Sequence, residues 1–173
     1  YITKVLARGS GKTDSFVELQ PGLNLIQGRS NTGKTCIIKC IDFCFGGKNK
    51  PFDDSLGYTT IELSLHTPKG NIHITRSFGK NKVEVVTDVP GYDSCTYDLK
   101  FNPKKKEPAP LLGDLLLASI GIEDGQYIYK NKYFDTQKMS WRTILPLLLF
   151  SVTDIVKETS VIEPTQGTEK TAF

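Results

Sequence analysis

Apolar and polar residues alternate along several short stretches of the first hundred residues, as is typical of half-buried β-strands. Short turn-forming sequences such as Pro21-Gly22 and Pro68-Lys69-Gly70 separate these stretches, and connections of that length predict antiparallel hairpins. The residues predicted to form strands are 2–7, 16–19, 23–26, 58–66, 71–77, 82–87 and 95–99.

Helical patterns are fewer. Residues 34–45 are mostly apolar all round, with only Lys39 and Asp42 strongly polar, which predicts a helix buried against a sheet. Gly46-Gly47 then favours the end of that helix. Further elements are predicted at residues 111–120 (a helix), around Tyr127 and Tyr129 (a short strand), and from Ser140 towards Phe150 (a helix that contains Pro146).

One motif carries chemistry. Gly28-Arg29-Ser30-Asn31-Thr32-Gly33-Lys34-Thr35 matches the pattern Gly-x-x-x-x-Gly-Lys-Ser/Thr in full. Its glycines let the backbone approach a ligand more closely than a Cβ would allow. Successive backbone N–H groups can then surround phosphates at the positive end of the following helix. Lys34 would place a cation on the β- and γ-phosphates, and the Thr35 hydroxyl is placed to ligate Mg²⁺. With a predicted strand before it and an apolar helix after it, the motif predicts a P-loop that binds ATP and Mg²⁺. Cys36, directly after the motif, is included among the predicted nucleotide contacts.

A shorter copy of the motif lies upstream. Gly11-Lys12-Thr13 repeats its last three positions, but Leu6 stands where the first glycine is required, so a β-turn is the better interpretation. Arg8 and Lys12 are nevertheless candidate contacts to a nucleotide bound at the main loop.

Composition and charge limit the class of protein and its environment. The chain has 173 residues and a net charge of +3, which suits one domain and points neither towards nor away from nucleic acid. No apolar run approaches the roughly 18–20 residues of a membrane span, so no membrane contact is expected. The four cysteines have no paired spacing, which favours free thiols in a reducing cytoplasm.

Three of the cysteines, Cys36, Cys40 and Cys44, recur every four residues. A straight helix spreads them over ~12 Å at ~1.5 Å per residue, so they are interpreted as small apolar packing residues rather than metal ligands. His66 and His73 have no acidic or cysteine cluster in register and are interpreted as structural or exposed.

The order of parts resembles the N-terminal ATPase lobe of the SMC, RecN and RecF family, in a bacterial branch distinct from chromosomal SMC itself. The resemblance rests on Leu23-Asn24-Leu25-Ile26-Gln27-Gly28, the loop, and the apolar helix ending Ile41-Asp42-Phe43-Cys44-Phe45-Gly46, and it covers about the first fifty residues. It implies an α/β P-loop NTPase fold of the ABC class, with a mixed sheet, a buried P-loop helix and an antiparallel β-rich arm.

The chain departs from that family at two places. Ser30 and Asn31 stand where the family has Asn and Gly, although Asn tolerates positive φ well enough for the loop to close. The glutamine that the family uses to hold Mg²⁺ and the attacking water is missing from residues 147–155. Asp154 is a candidate for that role, and an ordinary surface aspartate is the alternative.

The resemblance also implies what this chain lacks. Both ends look cut, and the family separates this lobe by a long coiled coil from a C-terminal lobe that carries the signature motif and the catalytic glutamate. One domain over residues 1–173 is therefore expected: a P-loop core (1–50), the β-rich arm (51–102), a linker (103–110) and a helical part (111–173). Alone it should be inactive as an ATPase, since hydrolysis requires a second head joined through ATP.

The expected function is ATP binding in an SMC-like ATPase that acts on DNA, in repair or maintenance or in defence against foreign DNA. Lys104-Lys105-Lys106 could contact DNA, or could be a solvated loop. The leading alternative is the ATP-binding subunit of an ABC transporter, although an aromatic residue to stack on adenine and the glutamine are not evident. A kinase or GTPase lacks its further motifs here, and a non-enzymatic module would require a degenerate loop.

Overall fold

The computed structural model describes residues 1–29, 32–101, 109–122, 125–129 and 134–149. In chain order the elements are β1 (Ile2–Arg8), β2 (Ser15–Glu18), α1 (Lys34–Cys44), a short 3-10 helix (Asp54–Leu56), β3 (Thr60–Thr67), β4 (Gly70–Ser77), β5 (Lys82–Thr87), β6 (Cys95–Asp98), α2 (Leu112–Ser119), β7 (Tyr127–Tyr129), β8 (Thr136–Lys138) and α3 (Trp141–Leu148). No helix in this described part of the chain is long and apolar enough to cross a membrane.

Six strands form one sheet in the order β2-β1-β3-β4-β5-β6. Val5 is opposite Leu63, Leu63 is opposite Ile74, and Ile74 is opposite Val85, so these four side chains form a row across four strands. All four are buried. Because side chains alternate between the two faces of a strand, this row places one face of these four strands in the core.

Helix α1 packs against the sheet through its C-terminal half. Cys40, Ile41, Phe43 and Cys44 are buried, whereas the residues of the first two turns are exposed or half-buried. The Phe43 ring meets the Phe78 ring edge to face, with centroids 5.4 Å apart. The helix is therefore held firmly at the end away from the P-loop motif, and its first turn borders open space.

The strand predicted for residues 23–26 does not form, which corrects the sequence-based expectation. Residues 23–29, all described, have no regular secondary structure, and Leu23 and Leu25 are 98% and 76% exposed. A strand needs a hydrogen-bonded neighbour, and within the described residues this segment has none. Every strand pair there is antiparallel, and parallel pairing in this part of the chain is limited to an isolated bridge between Asp98 and Leu111, so the expected mixed sheet is not seen as such.

The remaining elements lie beside the C-terminal end of α1. Trp141, at the start of α3, packs its ring against Phe45 at a centroid distance of 5.2 Å. Arg142 reaches back to α1, where its Nη1 donates to Asp42 Oδ1 at 2.6 Å. Strands β7 and β8 pair as a separate antiparallel hairpin.

Candidate nucleotide-binding site

The loop before α1 closes around the side chain of Lys34. Its Nζ donates to Gly28 O at 2.8 Å and to Arg29 O at 2.5 Å, and it lies 3.3 Å from Thr32 Oγ1. Thr32 Oγ1 in turn donates to Arg29 O at 2.8 Å. Residues on both sides of the loop therefore meet at one ammonium group.

The two glycines of the motif meet distinct steric demands. A Cβ on Gly28 would lie 2.9 Å from Thr32 Oγ1 and 3.8 Å from Lys34 Nζ, so a side chain there would fill the hollow beside the ammonium group. Gly33 has φ of +83°, a left-handed conformation that residues with a Cβ rarely adopt. Both positions therefore favour glycine in this geometry.

The first turn of α1 offers positive potential. Lys34 begins the helix, and backbone N–H groups at a helix N-terminus have no partner within the helix. The first turn of α1, which the structure describes in full, contains no acidic side chain to neutralise the helix dipole. Thr35 is exposed and Cys36 is half-buried, so both are near solvent at this end.

A cavity of about 490 Å³ opens beside the loop. One wall is apolar and belongs to β1 and β2, and the opposite wall is the loop with the first two turns of α1. The described residues that line it are Val5, Ala7, Ser15, Phe16, Val17, Ile26, Gln27, Gly28, Thr32, Gly33, Lys34, Cys36, Ile37, Cys40 and Phe52. Its volume falls within the range of small-molecule sites, roughly 300–1,000 Å³.

Arg8 and Lys12 lie elsewhere. The Arg8 guanidinium is held by two carboxylates, with Nε 3.0 Å from Asp14 Oδ2 and Nη1 2.9 Å from Glu62 Oε1. The Lys12 side chain covers Gly57, where an added Cβ would come within 2.9 Å of its Cε. Neither residue is among the described residues that line the cavity, so the structure does not bring these two candidates to the loop.

Some predicted site residues lie outside the described residues. They are Ser30 and Asn31 in the loop, Asp154, and the lysines of the predicted linker, Lys104, Lys105 and Lys106.

The cysteines of α1 are free thiols. Burial, and to a smaller extent the neighbouring Cys36, raise the pKa of Cys40 to about 12, and burial also raises the pKa of Cys44 well above its ordinary value. Both therefore stay protonated at neutral pH. Within the described residues, no group of three or more His, Cys, Asp and Glu side chains is placed to hold a metal ion.

The far end of α1 is closed by a buried arginine. Arg76 on β4 is 5% exposed, and its Nη1 donates both to Phe43 O and to Gly47 O, the latter at 2.8 Å. Its guanidinium also lies over the Phe43 ring, 3.9 Å from the centroid. Phe43 O also accepts from Gly46 N, so Arg76 adds a second donor to this carbonyl in the last turn of α1 and binds the chain directly after the helix at Gly47 O.

Together, the glycine-capped loop, the ammonium group held by loop carbonyls and the helix N-terminus have the arrangement of a P-loop. Comparison with known families agrees: a family described as an AAA domain matches residues 9–163. The chain belongs to this family, and the match implies a P-loop NTPase fold. Searches of curated proteins and of solved structures find no match.

The sequence did not reveal the apolar wall of the cavity. Val5 and Val17 lie opposite each other on β1 and β2, and the partly exposed ring of Phe16 also lines the cavity. Alternation in the two strands could have identified one face, but only the fold shows that this face is opposite the loop.

Proposed function

We propose that the chain is the ATP-binding N-terminal half of an SMC-like ATPase head that acts on DNA, in repair or maintenance or in defence against foreign DNA. In this proposal the phosphates lie against the N-terminus of α1, and Mg²⁺ supplies charge neutralisation between them. The proposed contacts are Gly28, Arg29, Ser30, Asn31, Thr32, Gly33, Lys34, Thr35 and Cys36, with the Thr35 hydroxyl as the magnesium ligand.

The observation that carries the proposal is the environment of the Lys34 ammonium group. Its acceptors are the carbonyl oxygens of Gly28 and Arg29 and the hydroxyl oxygen of Thr32, and within the described residues no carboxylate pairs with it. A phosphate oxygen carries a full charge and is a stronger acceptor than a neutral carbonyl. The ammonium group is therefore positioned to exchange loop carbonyls for phosphate oxygens without a change in its place at the N-terminus of α1.

Exposed apolar residues support an incomplete head. Leu23, Leu25 and Ile26 precede the loop and are 98%, 76% and 42% exposed. Exposing three apolar side chains to solvent in one short segment is unfavourable in free energy. Contiguous exposed apolar residues of this kind mark surfaces that another chain or segment covers. We propose that the C-terminal lobe covers this segment, and that two such heads join through ATP in the cytoplasm.

The test of the nucleotide site is Lys34→Ala in the full-length protein. Charge-assisted hydrogen bonds contribute about 1.5–3 kcal/mol each, and a factor of ten in affinity is about 1.4 kcal/mol. Loss of contacts to two phosphates should therefore weaken ATP binding about 100-fold or more. Affinity is measured by titration with a fluorescent ATP analogue in the presence of Mg²⁺.

Lys39→Ala is the matched control, because Lys39 is an exposed lysine on the same helix and does not line the cavity. It should bind ATP as the unaltered protein does. ATP affinity that is unchanged in Lys34→Ala would refute the assignment. In the same preparation, ATP hydrolysis stimulated by added DNA favours the SMC-like function, and its absence favours the alternative of an ABC transporter subunit.

A further inference from the structure

A second cavity, of about 510 Å³, lies at the other end of α1 from the P-loop. Its lining includes Gly46 and Gly47, directly after the helix, Arg76 of β4, and Phe101, beyond β6. Helix α1 has 11 residues and is therefore about 16 Å long at 1.5 Å per residue. The two cavities occupy opposite ends of one helix and share no lining residue.

The second cavity is strongly basic. Lys48, Arg76, Lys82 and Lys100 line it, and Asp98 is the single carboxylate among its described lining residues. The three lysines are exposed, and within the described part of the chain none of them is in an ion pair. Asp98 is buried and has an interaction of its own. The positive charges around this cavity repel one another. A bound anion would be attracted to all of them and would offset that repulsion.

Arg76 provides an independent indication. The side chain is 5% exposed, and although its Nη1 is hydrogen-bonded, its buried Nε has no partner. Buried donors are almost always satisfied, because an unpaired one costs the full desolvation of the group. The unpaired donor belongs to a residue that lines the cavity, and the charge of that residue adds to the charges of the three lysines.

A neighbouring cavity of about 340 Å³ shares Leu99, Lys100 and Phe101 with the basic cavity. Its lining is mainly apolar and includes Phe45 and Trp141. The indole Nε1 of Trp141 is buried and has no partner. Within the described residues, Arg76 Nε and Trp141 Nε1 are the two buried side-chain polar atoms without a partner, and each belongs to one of these adjoining cavities.

We propose that the two adjoining cavities form a second ligand site, for a small organic phosphate. The phosphate lies among Lys48, Lys82, Lys100 and Arg76, and a ring or chain of the same molecule lies against Trp141. A pair of compact hollows fits a small molecule better than an extended polyanion, which requires charge along a surface. The site does not depend on the nucleotide that we propose for the P-loop.

The test uses the fluorescence of Trp141, which is the only tryptophan of the chain. The protein carries Lys34→Ala, so that binding at the P-loop does not contribute, and the probes are phenyl phosphate, inorganic phosphate and phenol. Phenyl phosphate should change the emission saturably and bind more tightly than either fragment. Lys82→Gln or Lys48→Gln should weaken its binding about tenfold, the loss of one charge-assisted contact.

Lys69→Gln is the matched control, because Lys69 is an exposed lysine in the turn between β3 and β4 and lines neither cavity. It should leave phenyl phosphate binding unchanged. The proposal is overturned if phenyl phosphate produces no saturable change, or if Lys82→Gln and Lys69→Gln bind it equally. A response to a single-stranded oligonucleotide, but not to phenyl phosphate, would also overturn it, because the basic patch would then be a nucleic-acid surface.

Discussion

Arg76→Leu should destabilise the fold through the C-terminal end of α1. The substitution places an apolar side chain at this position of β4 and removes the donor to Phe43 O and Gly47 O. It also removes the guanidinium group that lies 3.9 Å from the centre of the Phe43 ring. Phe43 O would keep only its hydrogen bond from Gly46 N, and Gly47 O would lose the donor that β4 provides.

The magnitude follows from opposing contributions. Each of the two hydrogen bonds from a charged donor contributes about 1.5–3 kcal/mol, and the cation–π contact about 1 kcal/mol. Removing a buried charge offsets several kcal/mol of that loss, and burial indeed lowers the pKa of Arg76 from its ordinary value. We expect a net loss of about 3 kcal/mol, which in a chain of this size lowers the melting temperature by roughly 6–12 °C.

The assay is urea unfolding followed by circular dichroism. Arg142→Leu serves as the control, because Arg142 makes a partly exposed ion pair with Asp42, with side chains 52% and 37% exposed, and such pairs contribute about 1 kcal/mol or less. An unfolding free energy for Arg76→Leu equal to that of the unaltered protein would refute the argument. It would mean that the desolvation of the guanidinium cancels its bonds to the helix end.

Two further predictions concern titratable groups. Iodoacetamide at neutral pH should alkylate the exposed Cys95 but should reach the buried Cys40 and Cys44 only after unfolding, as peptide mass spectrometry can check; early labelling of Cys44 would contradict the packing of α1. Burial raises the pKa of Tyr97 from 10.0 to about 12, so its contribution to stability should be complete below pH 10 and should be lost as the pH rises towards about 12. Unfolding free energies of the unaltered protein and of Tyr97→Phe across that range test the second prediction, and identical slopes would reject it.

Most of the sheet could be predicted from the sequence. Residues 82–87 were predicted as a strand and form β5, and the prediction for residues 71–77 differs from β4 by one residue. These strands alternate strictly and are joined by short turns, so their local pattern and their environment in the fold agree. The extent of α1 was also predicted to within one residue, because Gly33 and Gly46-Gly47 bound its apolar run.

Residues 23–26 show where local pattern is insufficient. Their sequence is apolar and β-prone, but a strand is completed by its neighbours, and none of the described strands pairs with this segment. Strand β8 shows the opposite case. Its sequence, Thr136-Gln137-Lys138, is polar and does not suggest a strand, yet it forms one by pairing with β7.

The P-loop motif consists of residues that are adjacent in sequence, whereas the lining of the basic cavity does not. Lys48, Lys82 and Lys100 come from three separate parts of the chain and have no common motif. Their proximity results from the order of the strands and from the path of the chain after α1. Motif spacing in the sequence cannot detect this proximity, so the candidate site could be found only from the fold.

The position of β1 within the sheet determines the order in which the sheet can be completed. This strand lies between β2 and β3, so that Val5 pairs with Val17 close by in sequence and with Leu63 far from it. The hairpin of β3 and β4 closes through a short connection, whereas joining β1 to β3 first requires closing a long loop, which costs more entropy. During synthesis, β1 leaves the ribosome before β3 and β4 and must therefore keep one edge unpaired until the second hairpin has been made.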